Sequence, residues 1–351
     1  MKRVFGLCLM VGLSTVLLCS FALAEAVGPK KIFIVSSYAQ DNICGLPQYQ
    51  GVIEAIAGAG FRIDTDVKIY SYAMETKKVN NTPALIDAQA EIVLAKIEKI
   101  NPDVVVVLDD NAFRAVALKL VDSKIAVVFS GLNGQPEDYN EIVTWIDSRS
   151  KPGHNITGIY EKLHIVQAFK VQKKILPDLE RALIVSDESP TGKAVLKEVN
   201  LELSEESVDV FFDVKIATSW EDYKDIILKS CSSPDIGTIY TAATLLKDKH
   251  GQVHSTSEII KWTVGNCLKP GIPINYSFSR LGMFGGAGVD FISMGRQAGV
   301  MVGRILNGDK PGDIAIENAK RYGLVFNLKR AEELGITIPN DVLMASDAIY
   351  R

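Results

Sequence analysis

Polar side chains that could bind a small molecule stand directly after several strands that the sequence predicts. The acids Asp109 and Asp110 follow the apolar run 104–108, and such a pair suits an ammonium group or a set of hydroxyls. Tyr38 and Tyr160 offer flat faces on which a ring can stack at a small cost in side-chain entropy. From their places at strand ends and at the starts of following helices, we expect the ligand to be bound by Ser37, Tyr38, Asp109, Asp110, Asn111, Ser130, Asn133, Tyr160, Glu161, Asp187, Ser189, Thr191, Thr241 and Ser277.

Ordinary structural roles compete with ligand binding at several of these positions. Asp110 and Asn111 stand where the N-cap of a helix beginning at Ala112 belongs, and capping alone would explain one of them. The segment 189–192 could offer Ser189, Thr191 and free backbone N–H groups to a ligand carboxylate, or it could be an ordinary capped helix start. Both tyrosines could equally be buried structural residues.

Sequence motifs for catalysis are incomplete. Thr191-Gly192-Lys193 resembles the end of a phosphate-binding loop, but Ala194 replaces the hydroxyl residue that binds magnesium. His250 and His254 are four residues apart, yet no acid follows His250 as a zinc protease requires. No Gly-x-Ser-x-Gly elbow is present. We therefore expect no enzymatic activity, no catalytic residue, no metal site and no cofactor.

The elements that would position these side chains alternate between strands and helices. In the first half, strands are predicted at 31–36, 67–72, 104–108 and 125–130, with helices at 46–59, 83–100 and 112–121. The run 104–108 is apolar on both faces, as a central strand of a parallel sheet covered by helices requires. The first lobe is therefore predicted to be a doubly wound α/β sheet.

The same alternation restarts after a segment rich in Gly, Pro, Asp and Asn at 136–153. A strand at 155–160 leads to a helix at 163–176, where we place the first crossing between lobes. Further elements of a second α/β lobe are predicted as strands at 182–186, 208–216, 237–241 and 274–277, and as helices at 192–205, 220–229, 257–264 and 294–306. The glycine-rich stretch 282–288 suits a strand that returns between the lobes.

The N-terminal residues have the pattern of a secretory signal peptide. Lys2 and Arg3 precede an apolar run that ends in small residues, and cleavage is expected near Ala24 or Ala26. The apolar run is shorter than the roughly 20 residues that a bilayer crossing needs. The formal net charge is −4, and no cluster of basic residues is present that could neutralise a run of phosphates, so a nucleic-acid partner is not expected. The protein is predicted to be periplasmic and monomeric.

Three cysteines remain after residues 1–24. A bridge between Cys231 and Cys267 would close a loop inside one predicted lobe in an oxidising compartment, and buried unpaired thiols are the alternative. Cys44 would then be the odd residue. The spacing of the three fits neither a zinc site nor a redox Cys-x-x-Cys pair.

Motifs in the C-terminal third carry a family resemblance. They are Gly288-Val289-Asp290, Gly295-Arg296-Gln297-Ala298-Gly299, Ile305-Leu306-Asn307-Gly308-Asp309-Lys310-Pro311, Asp313-Ile314, Leu324-Val325-Phe326-Asn327-Leu328-Lys329 and Leu334-Gly335-Ile336-Thr337-Ile338-Pro339, and Asn155-Ile156-Thr157-Gly158 precedes them at the first crossing. With them the chain resembles the ABC-transporter substrate-binding proteins of the tryptophan/tyrosine-importer type. Members usually follow the third strand with a Thr-Pro turn, where this chain has Asp109-Asp110-Asn111, so the ligand identity is not carried over.

The resemblance implies a type I periplasmic binding protein fold with two lobes joined by a multi-strand hinge. The expected division is 30–155 plus about 286–322 for lobe 1, and 156–285 plus about 323–351 for lobe 2. The implied function is capture of a small molecule by hinge closure and delivery to an ABC permease, with an amino acid or another amine-bearing or aromatic ligand favoured. A sensory module for a receptor kinase and an enzyme of the cleft are the alternatives.

Overall fold

The computed structural model describes residues 28–242 and 245–351. The predicted signal peptide, residues 1–24, and its cleavage position at Ala24 or Ala26 lie outside the described residues. Within the two described ranges, no helix combines the length and the apolar character that a membrane crossing needs.

Strands and helices alternate along most of the described chain. The strands are β1 (Lys30–Ser36), β2 (Val67–Ala73), β3 (Val104–Leu108), β4 (Ala126–Leu132), β5 (Ile156–Tyr160), β6 (Arg181–Asp187), β7 (Phe211–Ala217), β8 (Thr238–Thr241), β9 (Leu245–Lys247), β10 (Val253–Ser255), β11 (Gly271–Pro273), β12 (Gly285–Val289), β13 (Glu317–Asn318), β14 (Tyr322–Asn327) and β15 (Ala348–Tyr350). The α-helices are α1 (Gly45–Gly58), α2 (Pro83–Ile100), α3 (Asp109–Ala115), α4 (Ile165–Ile175), α5 (Pro190–Glu205), α6 (Trp220–Ser232), α7 (Thr256–Asn266), α8 (Phe291–Leu306), α9 (Leu328–Glu333) and α10 (Asn340–Met344).

Lobe 1 is built on a six-stranded parallel sheet in the order β13-β5-β4-β3-β1-β2. Every residue of β3 is buried, because helices cover both faces of the sheet and leave an all-apolar strand between them. Helix α8 packs closely on α1: a Cβ on Gly295 would lie 2.1 Å from the carbonyl oxygen of Gln48. This contact between the two backbones fixes the position of α1, the helix that carries Gln48.

Lobe 2 is built on a four-stranded parallel sheet in the order β11-β8-β6-β7. A disulfide between Cys231 on α6 and Cys267 at the end of α7 joins two of its helices, with the Cα atoms 5.5 Å apart. Of the alternatives left by the sequence, the bridge is therefore the one found, and Cys44 is a free thiol.

Three segments connect the lobes: β5 to α4, β12 to α8, and β13 to β14. The sequence boundary at 155/156 differs from the structure, because β5 pairs with β4 and so lies in the sheet of lobe 1. Strand β12 pairs with β14, and β14 with β15, in a third sheet beside lobe 2. We keep the division into two lobes as a proposal, with the first crossing placed after Tyr160.

Two predicted elements begin elsewhere than the sequence suggested. The third helix starts at Asp109, not at Ala112, so Asp110 and Asn111 lie inside its first turn and neither is its N-cap. The strand expected at 274–277 is wrong: β11 ends at Pro273 and a 3-10 helix spans Tyr276–Leu281. The Asn275 side chain accepts a hydrogen bond from the backbone N–H of Ser277, which favours a turn over an extended strand.

Candidate ligand-binding site between the lobes

A cavity lies between the carboxyl ends of the two parallel sheets. Lobe 1 and the first crossing line it with Tyr38, Cys44, Lys77, Asp109, Asn133, Glu161 and Phe291. Lobe 2 lines it with Thr191, Val195, Thr256, Ile274, Asn275 and Phe278. A wider outer cleft shares Lys77 and Thr256 with this cavity and leads away from it. Open α/β sheets bind ligands at this position.

Asp109 is the most constrained acid of the cavity. It begins α3 directly after β3, has a left-handed backbone with φ of 67°, and is 3% exposed. One carboxylate oxygen, Oδ1, accepts a hydrogen bond of 3.1 Å from Gln48 Nε2. The other, Oδ2, is buried and has no hydrogen-bond partner among the described residues. A buried carboxylate oxygen without a partner is costly, so this atom is positioned to accept from a ligand.

Gln48 connects Asp109 to the sheet. Its Oε1 atom accepts a hydrogen bond of 2.9 Å from the hydroxyl of Ser130 on β4, while its Nε2 atom donates to Asp109. Gly131, with φ of 81°, leaves room for this bridge, since a Cβ there would lie 2.8 Å from Gln48 Oε1. Ser130 therefore positions Asp109 through Gln48 and does not line the cavity.

The Asp110 side chain forms hydrogen bonds within lobe 1 and does not line the cavity. Its Oδ2 accepts from the backbone N–H and the side-chain amide of Asn133, at 3.2 and 2.8 Å, and its Oδ1 accepts from the backbone N–H of Gly134 and from the Tyr139 hydroxyl. These bonds hold the loop after β4 against the start of α3. Asn133, which Asp110 fixes, does line the cavity.

Ser37 and Asn111 are also structural. The Ser37 hydroxyl donates to the Leu108 carbonyl oxygen at 2.7 Å and accepts from the Ala112 N–H at 2.8 Å, so a residue following β1 caps α3 from outside the helix. Asn111 Nδ2 donates to the Thr76 hydroxyl at 2.9 Å. These three hydrogen bonds join the segments that follow β1, β2 and β3 at the carboxyl edge of the sheet.

The remaining charge and ring surface of the lobe 1 wall come from Glu161, Lys77 and Tyr38. Glu161 is 4% exposed and lines the cavity. The Lys77 ammonium lies 4.9 Å from the centroid of the Tyr38 ring, a cation-π distance. Tyr38 is buried and faces the same cavity.

Burial raises the pKa of each acidic group in this cavity. Burial first and the neighbouring Asp110 second raise the pKa of Asp109 to about 7, while Gln48 and Lys77 oppose the shift. Burial and the charge of Asp109 raise the pKa of Glu161 well above its usual value. Burial also raises the pKa of the Cys44 thiol to about 12, so this thiol is neutral and a weak nucleophile. A cation placed between Asp109 and Glu161 would stabilise their charged forms.

The lobe 2 wall is neutral. Thr191, in the first turn of α5, is the residue of the predicted segment 189–192 that reaches the cavity. Asn275 Nδ2 donates to the sulfur of Cys44 at 3.4 Å, which is a direct contact between the lobes across the cavity. Val195 and Phe278 add apolar surface.

The other predicted residues of lobe 2 lie outside this cavity. Ser189 caps α5, its hydroxyl accepting from the Gly192 N–H at 3.0 Å. Asp187 accepts from the backbone N–H groups of Ser189 and Leu245. Ser277 is buried in its 3-10 turn, and Thr241 lines a separate cavity beside Cys267 and Arg330.

Tyr160 lies in a polar contact between the lobes and not in the cavity. Its hydroxyl donates to Glu198 of α5, and Gln135 Nε2 donates both to this hydroxyl and to Glu198, the latter at 2.7 Å. The Arg149 guanidinium stands 5.0 Å from the centroid of the Tyr160 ring. Lys197, next to Glu198, forms a 2.5 Å ion pair with Asp138 of lobe 1.

The structure thus brings five of the predicted residues into one cavity, namely Tyr38, Asp109, Asn133, Glu161 and Thr191. The sequence analysis missed Cys44, Lys77, Val195, Thr256, Ile274, Asn275, Phe278 and Phe291. Lys77 follows β2, so the rule of strand ends could have found it. The apolar lining residues carry no such signal, because they resemble any core residue. Among the described residues, no group of three or more His, Cys, Asp or Glu side chains could hold a metal ion.

Solved structures with this architecture are numerous. A conserved domain protein from Vibrio cholerae aligns over 91% of this chain and 99% of its own, with a TM-score of 0.68 and 21% identity. An ABC domain in complex with L-Trp from Streptococcus pneumonia aligns over 92% and 100%, with a TM-score of 0.70 and 20% identity. A ligand-free, open substrate-binding protein with adhesive properties from Clostridium difficile aligns over 92% and 99%, with a TM-score of 0.66 and 15% identity.

These likenesses confirm the predicted fold class, a two-lobed α/β type I periplasmic binding protein fold. No curated protein sequence matches the chain closely enough to count as a relative. A family model described as ABC transporter substrate binding protein matches residues 44–349, which is most of the chain. The family implies a small-molecule ligand and a membrane permease as partners. The chain therefore belongs to the ABC transporter substrate-binding protein family.

Proposed function

We propose that the protein is the periplasmic solute-binding component of an ABC importer and captures a small molecule by closing its two lobes. The observation that carries this proposal is the cavity between the lobes, in which a buried oxygen of Asp109 has no partner within the protein. A ligand that bonds this oxygen while touching Thr191 or Asn275 binds both lobes at once and so favours their closure.

The ligand class that this cavity suits is a small amine-bearing or aromatic molecule, with amino acids among the candidates. Asp109 and Glu161 suit an ammonium group, and Tyr38, Phe278 and Phe291 suit a ring or another apolar body. The wall offers no pairing of nucleophile and base, since the Cys44 thiol is held neutral and no described histidine lines the cavity. We therefore propose binding without catalysis.

An exported, monomeric protein without a nucleic-acid partner fits this role. The signal-peptide pattern of residues 1–24 and the formal net charge of −4 support that location and the absence of nucleic acid. The partner that receives the loaded protein would be the permease of the same transporter.

The test is a thermal-shift screen of amines, amino acids, purines and sugars with the mature protein. A ligand at a hundred times its dissociation constant should add about 2.7 kcal/mol to the free energy of unfolding. Small-angle scattering of the protein with its best ligand should then give a smaller radius of gyration than the protein alone. The proposal fails if no small molecule raises the melting temperature, or if the ligand found binds equally well to the Asp109→Asn and Glu161→Gln variants.

A further inference from the structure

We propose that the cavity selects ligands with a net positive charge and no carboxylate, such as amines or guanidines, and that Lys77 is a tethered cation that competes with them. This inference rests on the proposed function and narrows its ligand class. It excludes zwitterionic amino acids as preferred ligands.

The first step is the charge balance of the wall. Two carboxyl groups, those of Asp109 and Glu161, face the cavity, and Lys77 is the single basic residue among the described lining residues. Asp109 Oδ2 has no hydrogen-bond partner among the described residues, and Glu161 lines the same cavity. A bound ligand cation favours the ionised forms of both acids. With both acids ionised and Lys77 charged, the wall carries a charge of about −1, which that one cation neutralises.

The second step is the absence of a built carboxylate site in the described wall. The polar groups of lobe 2 that reach the cavity, on Thr191, Thr256 and Asn275, are neutral, and no arginine lines it. The Ser189 hydroxyl already occupies the Gly192 N–H at the start of α5. A ligand carboxylate would meet Lys77 and would be repelled by Asp109 and Glu161 at close range. A zwitterion also leaves the net charge of the wall uncompensated.

The third step concerns Lys77. Its side chain is half-buried, belongs to the segment after β2, and lines both the inner cavity and the outer cleft. Its ammonium lies over the Tyr38 ring and forms no salt bridge with a described acid, although its charge acts on both Asp109 and Glu161. An ammonium on a flexible stem that weakly satisfies two acids is displaced easily by a ligand cation with better geometry.

Replacing Lys77 tests the inference, because the two kinds of ligand predict opposite changes in affinity. If the ligand is a cation without a carboxylate, removing the competing ammonium strengthens binding. If the ligand is a zwitterion whose carboxylate binds Lys77, the same substitution weakens binding. Lys77→Met keeps much of the stem and removes the charge, and Lys124→Met is the matched control. Lys124 is exposed and precedes β4, at the edge of the sheet away from the cavity.

The experiment measures dissociation constants by isothermal titration calorimetry for matched pairs: tyramine with tyrosine, tryptamine with tryptophan, and agmatine with arginine. We expect one amine to bind at least tenfold more tightly than its amino acid. Lys77→Met should tighten that amine at least threefold, and Lys124→Met should leave it unchanged. Asp109→Asn and Glu161→Gln should each weaken it at least tenfold, whereas Asp87→Asn, on the exposed face of α2, should not. Circular dichroism checks that each variant is folded.

The outcomes separate the two proposals. If an amino acid binds more tightly than its amine and Lys77→Met weakens it, the inference is overturned and the proposed function stands. If an amine is preferred but Lys77→Met also weakens it, the competing role of Lys77 is wrong. If none of these pairs binds while a sugar or purine does, the cation preference fails alone. If nothing binds, the proposed function fails with it.

Discussion

The two lobes line the same cavity in different ways. Lobe 1 and its crossing supply the charged groups, Asp109, Glu161 and Lys77, and a side-chain hydrogen bond from Gln48 holds Asp109 in place. Lobe 2 supplies neutral groups, such as Thr191 and Asn275, from a scaffold whose helices are joined by a disulfide. The charged groups of the cavity are therefore concentrated on one side, and the other side is neutral.

This difference suggests an order of events in the proposed binding cycle. A charged ligand gains most of its electrostatic energy from lobe 1 and the crossing, so it would bind there first. Lobe 2 would then remove it from water and strengthen those contacts, because charge interactions are stronger where water is excluded. The predictions below test how far the lobes differ, from the largest expected effect to the smallest.

Removing the disulfide should destabilise lobe 2 and leave lobe 1 almost unaffected. Cys231 and Cys267 are 36 residues apart, and replacing both by Ser should lower the free energy of unfolding of that lobe by about 4 kcal/mol through loop entropy. Fluorescence-detected urea unfolding in a Trp145→Phe background reports lobe 2 alone, since Trp220 and Trp262 both lie there. An equal loss seen by Trp145 in a variant lacking the other two tryptophans would contradict the division into lobes.

Raising the pH should destabilise the ligand-free protein through the acids of lobe 1. The pKa of Asp109, about 7 in the folded protein, exceeds the usual unfolded value near 3.9, so the folded state keeps this proton at higher pH. The stabilisation is complete below about pH 4 and is lost as the pH rises through about 7. Relative to Asp109→Asn, the wild type should lose about 2–3 kcal/mol between pH 5 and pH 8, measured by urea unfolding. If the free energies of unfolding of the wild type and of Asp109→Asn change in parallel with pH, the raised pKa of Asp109 is contradicted.

Replacing Gln48 by Leu should cost stability in lobe 1 and weaken binding as well. The variant leaves Asp109 Oδ1 and the Ser130 hydroxyl without their partner, at a cost of about 1–3 kcal/mol in the free energy of unfolding. Gln252→Leu, on an exposed loop of lobe 2, is the control and should change stability little. If Gln48→Leu leaves both stability and affinity unchanged, the network does not position Asp109.

Breaking the exposed ion pair between the lobes should have the smallest effect on the free energy of unfolding. Lys197 and Asp138 are about half exposed, and Lys197→Ala should change the free energy of unfolding by less than about 1 kcal/mol, with a smaller effect at high salt. Glu198→Gln, one residue along, removes the negative charge of the buried acceptor shared by Gln135 and Tyr160 and should change ligand affinity more. A larger effect from Lys197→Ala would mean that surface charge governs contact between the lobes.

Much of the fold was predictable because it depends on local patterns. The limits of α2 and β3 match the predicted ones at both ends, since Thr82 and Asn101 mark the ends of that helix and five apolar residues form the strand. The start of α3 was not predictable, because Ser37 caps it from a distant part of the chain. The strand expected at 274–277 failed because the Asn275 side chain stabilises a turn.

The candidate site was predictable in place but not in composition. Five of the residues that the rule of strand ends selected, Tyr38, Asp109, Asn133, Glu161 and Thr191, line one cavity, and their role in binding stays a prediction. The rule could not separate Asp109 from Asp110, which are adjacent in sequence but differ in that only Asp109 lines the cavity and has an oxygen without a partner. Nor could it find Asn275 or Cys44, whose contact exists only when the two lobes meet.

The sequence by itself determined the family and the alternating α/β architecture, and it predicted the strand ends at which a ligand would bind. These follow from periodic apolar residues and from motifs that are local in the chain. Only the tertiary structure decided which polar groups remain free to bind a ligand. A polar side chain is available only if no distant residue already bonds it, so the loop after β4 occupies Asp110 and leaves one oxygen of Asp109 open.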